Sequence, residues 1–209
     1  MIIRMAYDHI ESVSKIHMTS WNINELSVKL GNGYVRRFYK HIVDSEYSFG
    51  FVCLEENEVI GYATGFYDYH LFNQSLKNED FFFLLVTLIQ RMVAGKIKAN
   101  DLINLLQDDN KLKRSKYPKY HLGALALANE YKGTVQGKKA ISGVISAVLA
   151  DLSERGYPGC SLTCDCINVP MRKRILKLGF KEVDIIPMKG RSVVLYEKSF
   201  QRTLSHKIY

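Results

Sequence analysis

The sequence predicts a mixed α/β fold, with a central sheet of about seven strands flanked by helices. Three observations carry that prediction. Short runs rich in β-branched and aromatic residues recur at 2–5, 49–54, 59–66, 121–128, 160–167, 183–187 and 192–198. Segments with apolar residues at helical spacing stand between them. Strand, helix, strand, helix, strand then alternate over 121–198, the order of an α/β unit. The 209 residues suffice for one core without disulfide staples. With 47% hydrophobic and 24% charged residues, a disordered chain, a collagen-like fibre and a coiled coil are excluded.

Taken in order, residues 2–5 form a short strand, and Asp8 is placed to cap a helix reaching about Met18. Its core face is Ile10, Val13, Ile16 and His17. Residues 24–33 are turn-rich, and the next helix carries Val35, Phe38, Tyr39 and Ile42 at helical spacing. The runs 49–54 and 59–66, separated by a polar turn, read as a hairpin. An extra helical pair is expected at about 79–107, as helices over 79–94 and 97–106. In the first, Phe81, Phe82, Phe83, Leu84, Leu85 and Val86 open a run wider than the ~100° stripe of a surface helix. That helix is expected to be covered on several sides by the core, an apolar ligand or a second subunit, and a homodimer would serve. A buried strand at 121–128, a loop at 129–134 and a long helix at 137–155 follow, the last with Ile141, Val144, Ile145 and Val148 inward. The strand at 160–167 leads to a short helix over 169–178, closed by Gly179 in a left-handed cap. A hairpin of 183–187 and 192–198 ends the sheet.

Charge is unevenly spread. Residues 1–110 hold 10 Lys/Arg against 14 Asp/Glu, whereas residues 111–209 hold 19 against 7, so the net +8 comes from the C-terminal half. Such a field suits a phosphate-bearing partner, although a solvated basic surface would look the same. Nucleic acid is not expected, because the basic residues are not interleaved with aromatics in any recognised module. No apolar run approaches the ~20 residues of a membrane span. Met1 to Asp8 lacks the regions of a signal peptide. Four cysteines fit neither a disulfide framework nor a zinc pattern. A cytoplasmic protein with reduced thiols and no metal is the expectation.

The chemistry is concentrated in residues 125–180. A buried strand runs into Lys132, Gly133, Thr134, Val135, Gln136, Gly137 and Lys138, which open the long helix. Free amides and the positive dipole end at a helix start can bind a phosphate or pyrophosphate. A pair of glycines before a helix is also ordinary turn chemistry. The segment is neither a P-loop nor a dinucleotide fingerprint, since Gly-Lys-Ser/Thr and Gly-x-Gly-x-x-Gly are both missing.

After the next strand come Asn168 and, ten residues on, Leu178-Gly179-Phe180. This series of strand, loop, long helix, strand, Asn and Leu-Gly-Phe resembles the GCN5-related N-acetyltransferase (GNAT) superfamily, whose loop reads Arg/Gln-x-x-Gly-x-Gly/Ala. The resemblance covers residues 1–209 as a single acyltransferase domain, with 68–118 as a helical insertion between the third and fourth strands. It implies acetyl-coenzyme A as donor, bound by backbone groups of Leu125, Ala126 and Leu127, by the 132–138 loop and by Asn168. It implies direct attack by the amine of a small molecule or amino sugar, with a strand amide near Leu127 holding the oxyanion. Three departures stand out. Lys132 replaces Arg or Gln, Val135 replaces a glycine, and Ile175 stands where many members carry a Tyr that protonates the leaving thiolate.

Candidates for proton transfer are His121 and Asp165 as bases and Cys166 as acid. A strand-end histidine, an aspartate ordering a turn and small buried thiols are the competing readings of these residues. Trp21, Asn22 and Tyr34 are the candidates for acceptor contact. Two further functions stay open: transfer of longer acyl chains from coenzyme A or an acyl carrier protein, with 81–89 walling an apolar tunnel, and coenzyme A binding without catalysis.

Overall fold

The computed structural model describes residues 1–23, 25–98, 114–188 and 191–200. Its elements are β1 (Ile2–Arg4), α1 (Ile10–Ser20), α2 (Leu26–Leu30), α3 (Asn32–Asp44), β2 (Ser48–Glu55), β3 (Glu58–Phe66), α4 (Tyr69–Glu79) and α5 (Phe81–Val93). Then follow β4 (His121–Leu127), α6 (Val135–Glu154), β5 (Gly159–Asp165), α7 (Val169–Lys177), β6 (Lys181–Met188) and β7 (Arg191–Ser199). The seven strands form one sheet in the order β1-β2-β3-β4-β5-β7-β6, antiparallel except where β4 meets β5.

Two apolar layers sandwich the sheet. The side chains of α6, Ile175 of α7 and Phe180 pack with Phe49, Leu122, Cys160, Leu162, Cys164 and Val194 on one face. On the other, α1, α3 and α4 bring Val13, Tyr39 and Phe72 against Tyr62, Phe66 and Ala126. Ile175 is 2% exposed in the first layer, so the position expected for a tyrosine is spent on packing. Gly179 has φ 84°, as its place after α7 requires.

Several local expectations need correction. Asp8 does not cap α1 through its side chain: it lies in a 3₁₀ turn at Tyr7–His9, where the Ala6 amide donates to His9 Nδ1 at 2.9 Å. The turn-rich 24–33 stretch contains α2, broken from α3 by Gly31 at φ 91°. Helix α4 was not foreseen. It is capped by the Asp68 carboxylate, which accepts from the amides of His70 and Leu71, each at 3.1 Å, and it buries Phe72 and Leu76 one turn apart. The second helix of the expected pair falls, from residue 99 on, outside the described residues. The first is α5: it packs on α2 and α4, while Phe82 and Val93 are 79% and 86% exposed, so the described part of the chain does not cover it on every side. No helix among the described residues is long and apolar enough to cross a membrane.

Candidate active site

Strands β4 and β5 run side by side but pair only at His121↔Ser161 and Leu122↔Leu162; beyond these they part. A bulge marks the same place. Leu122 faces Gly65 and Leu125 faces Ala63, so three steps along β4 match two along β3. Gly123 sits in the bulge, where a Cβ would overlap the Phe66 ring. Side-chain alternation is shifted as a result: Leu122, Leu125 and Leu127 all pack towards α6, and Ala124, Ala126 and Ala128 towards α1 and α3.

The bulge also decides which backbone groups are free. The Ala128 amide donates to the Ile60 carbonyl at 2.9 Å, so Ala126 and Ala128 turn their polar groups to β3. Leu125 and Leu127 turn theirs to the edge that β5 leaves open. Ser20 Oγ donates to the Leu127 carbonyl at 2.7 Å. The edge therefore offers both polar groups of Leu125 and the amide of Leu127, with Ala126 contributing through its small side chain.

Strand β4 leads through a 3₁₀ turn, Asn129–Tyr131, to the start of α6. Gly133 has φ 84°, which glycine tolerates best. Thr134 caps the helix, its Oγ1 accepting from the Gly137 amide at 2.9 Å. Val135 and Gln136, the first two helical residues, have amides with no carbonyl one turn back to bond. Gly137 is held by contact rather than by conformation: a Cβ there would overlap the Tyr131 carbonyl oxygen.

Charge divides across this helix start. On one flank, Gln136 Nε2 donates to Glu55 Oε1 at 2.8 Å, at the end of β2. On the other, Arg174 Nη1 donates to the Lys138 carbonyl at 3.0 Å and ties α7 to α6. A groove of about 370 Å³ lies between these helices, lined by Lys138, Ser142, Lys173, Arg174 and Lys177 and by no carboxylate among the described residues. Lys132 is exposed in the loop. Asn168 caps α7, its Oδ1 accepting from the Met171 amide at 3.3 Å.

The three proton-transfer candidates are not brought together. His121 is buried at the vertex of the splay, rather than partly exposed at a strand end, and stacks near Phe66. Ser161 Oγ has one proton and faces the Tyr117 and Tyr120 carbonyls, so His121 Nδ1, 3.1 Å away, donates to it. Four residues, ~13 Å of strand, separate His121 from Leu125. Asp165 and Cys166 lie at the open end. Asp165 Oδ1 accepts from the Ile167 amide at 3.1 Å, an Asx turn, and Oδ2 lies 3.6 Å from Arg191. Cys166 is half-buried against the α6 layer, and Arg172 Nη1 donates to its carbonyl at 3.2 Å. Burial pushes the Cys164 thiol up to about 11 and the Cys160 thiol up to about 12.

On the acceptor side, Trp21 and Asn22 fall on the link between α1 and α2, at the open end. Tyr34 lies instead near Tyr69 and Asp80, and burial pushes its hydroxyl up to about 12. Trp21 lies flat on the ring of His17, centroids 4.7 Å apart. His17 is the hub of a buried network that sequence reasoning had counted only as core. Its Nδ1 is 2.8 Å from the Tyr39 hydroxyl, and its Nε2 is 2.8 Å from Ser27 Oγ in α2. Since Tyr39 donates to Tyr62 at 2.6 Å, Nδ1 donates to Tyr39 and Nε2 accepts from Ser27, which is the neutral ring. Burial lowers its pKa to about 4. Ser20, Glu25, Arg191, Lys173 and Lys177 were also missed. Only the two lysines carried a signal, one helical turn apart on α7.

No protein-family model matches the sequence, and no curated protein matches it. Solved structures do match in shape. An aminoglycoside 6'-acetyltransferase type Ii is 10% identical, covers 97% of this chain and 99% of its own, and has a TM-score of 0.61. An N-acetyltransferase from Staphylococcus aureus is 13% identical over 96% and 98%, with a TM-score of 0.61. A ribosomal-protein-alanine N-acetyltransferase from Brucella melitensis is 10% identical over 96% and 99%, with a TM-score of 0.60. Identities this low speak for the backbone alone. The chain has the fold of the GCN5-related N-acetyltransferases.

Proposed function

We propose that the chain is an acyl-coenzyme A-dependent N-acyltransferase, moving acetyl from acetyl-CoA to the amine of a small molecule or amino sugar by direct attack. One observation carries this reading: the open edge of β4 leads directly to a helix start flanked by a basic groove with no carboxylate among the described residues. That continuous surface suits a ligand with an amide-bearing arm at one end and phosphates at the other. Acetyl-CoA has both, and its thioester supplies an activated acyl group.

Under this reading the polar groups of Leu125 and Leu127 hold the arm as a further strand would. The amides of Val135 and Gln136, with Lys132, Lys138, Lys173 and Lys177, hold the phosphates. Asn168 fixes the start of α7 so that the groove keeps its shape. The Leu127 amide faces the open edge and stabilises the oxyanion. With His121 held at the vertex and Asp165 engaged by Arg191 and the Ile167 amide, the proton of the attacking amine leaves through water. Cys166 is the candidate acid for the thiolate. The free thiols Cys53, Cys160, Cys164 and Cys166 suit the reducing cytoplasm.

Transfer of long acyl chains gains no support from α5, where Phe82, Val86 and Val93 are exposed rather than lining a tunnel wall. Calorimetric titration tests the reading. Acetyl-CoA should bind, more weakly as salt rises, and palmitoyl-CoA should gain nothing from its chain. Failure of acetyl-, butyryl- and palmitoyl-CoA alike to bind would overturn it.

A further inference from the structure

A second cavity, of about 290 Å³, opens at the end of the sheet away from the splay. It lies where β1 and α6 end and where the 45–47 loop leads from α3 into β2. The 20 residues of α6 put ~30 Å between it and the helix start beside the basic groove. Arg4, Arg155 and Glu46 are the charged residues that line it.

Asp151, in the last turn of α6, holds both guanidiniums in place. Its Oδ2 accepts from Arg4 Nη1 at 2.8 Å, and its Oδ1 accepts from Arg155 Nε at 3.0 Å and from the Tyr67 hydroxyl at 2.6 Å. The Arg155 guanidinium also lies over the Tyr67 ring, 4.5 Å from its centroid. Stacked there and held through Nε, it keeps its two terminal nitrogens free of any acceptor among the described residues. Such a fork matches a carboxylate.

The rest of the cavity does not suit a bare anion. Glu46 accepts from the Tyr47 hydroxyl, which leaves its carboxylate room for a further donor. Ile42 and Val43 bring the carbonyl end of α3, the negative end of its dipole, to the same wall. Arg4 and Arg155 are balanced by Asp151 and Glu46, so a ligand with one charge of each sign leaves the site neutral. The volume lies near the lower limit of small-molecule sites, ~300–1,000 Å³, and is too small for a nucleotide.

We propose that this cavity binds a free amino acid: the carboxylate takes the Arg155 fork, and the ammonium meets Glu46 and the end of α3. The site is independent of the acyl-transfer reading. Both arginines are half-exposed, so the expected dissociation constant is on the order of 1 mM.

Thermal melts of the full chain with each standard L-amino acid test this. At about 10 mM, an amino acid that binds raises the melting temperature by mass action. At least one should do so. By calorimetry its amide and its N-acetyl derivative, each lacking one charge, should bind at least about tenfold more weakly. Arg155→Gln and Glu46→Gln should each weaken binding about tenfold, yet melt as wild type does without ligand, because both residues are exposed. Failure of every amino acid to bind, or equal binding of acetate alone, would overturn the proposal. So would binding that survives both substitutions, since the ligand would then sit elsewhere, as an amine acceptor at the splay would.

Discussion

His17 Nδ1 and the Tyr39 hydroxyl lie 2.8 Å apart in the buried layer between α1 and α3, and the ring is held neutral. The pKa of His17 is lowered from 6.5 to about 4 by burial, so the unfolded chain binds its proton first as acid is added. The stability this gives is complete above pH 6.5 and is lost as pH falls through 4. The total is on the order of 3 kcal/mol. Denaturant midpoints measured from pH 7 to 4 should fall more steeply for wild type than for His17→Gln, which has no charge to gain. Parallel curves would show that another group governs the acid response.

Gly137→Ala should be costly although glycine is a poor helix former. The new methyl meets the Tyr131 carbonyl and forces the 3₁₀ turn off α6, for a loss of about 1–3 kcal/mol. Thr134→Ala, which removes only the cap, should cost about 1 kcal/mol. Thermal melts of the two variants rank them, and equal losses would mean that the contact at Gly137 relaxes freely.

Lys173→Ala and Lys177→Ala should each weaken acetyl-CoA binding about three- to tenfold at low salt, with little effect on melting. The deficit should shrink as ionic strength rises, because both side chains act through exposed charge. A deficit independent of salt would point to shape rather than charge.

The thiols give a simpler check. Cys53, Cys160 and Cys164 are buried, and burial raises the pKa of each, whereas Cys166 is half-exposed. Brief iodoacetamide treatment of the folded protein at pH 8 should label Cys166 alone, and denaturation should open the other three. Mass spectrometry of the peptides reads this directly.

Much of the frame was legible because its signals are local. The hairpin 49–66, the long helix with its inward valines and isoleucines, and Gly179 each announce themselves within a few residues. So does the 132–138 loop, since Thr134, Gly133 and the lysines are neighbours in sequence. Helix α4 was missed because only Phe72 and Leu76 mark its buried side. The Glu25–Arg191 ion pair was illegible for another reason: 166 residues separate the two, and neither residue type says which partner it will meet. The neutral state of His17 likewise depends on hydroxyls 10, 22 and 45 residues away. For helix α5, an apolar circumference implies cover without showing what provides it.

The extra residue in β4 gives that strand a phase of its own. Deleting Ala124 would leave a strand of ordinary rhythm, and one half of it would then have to roll over. Either Leu122 would turn away from α6, or Leu125 and Leu127 would, carrying their amides from the open edge to β3. Length at this spot is therefore under a constraint of its own, set by the phase of the whole strand and not by any one side chain.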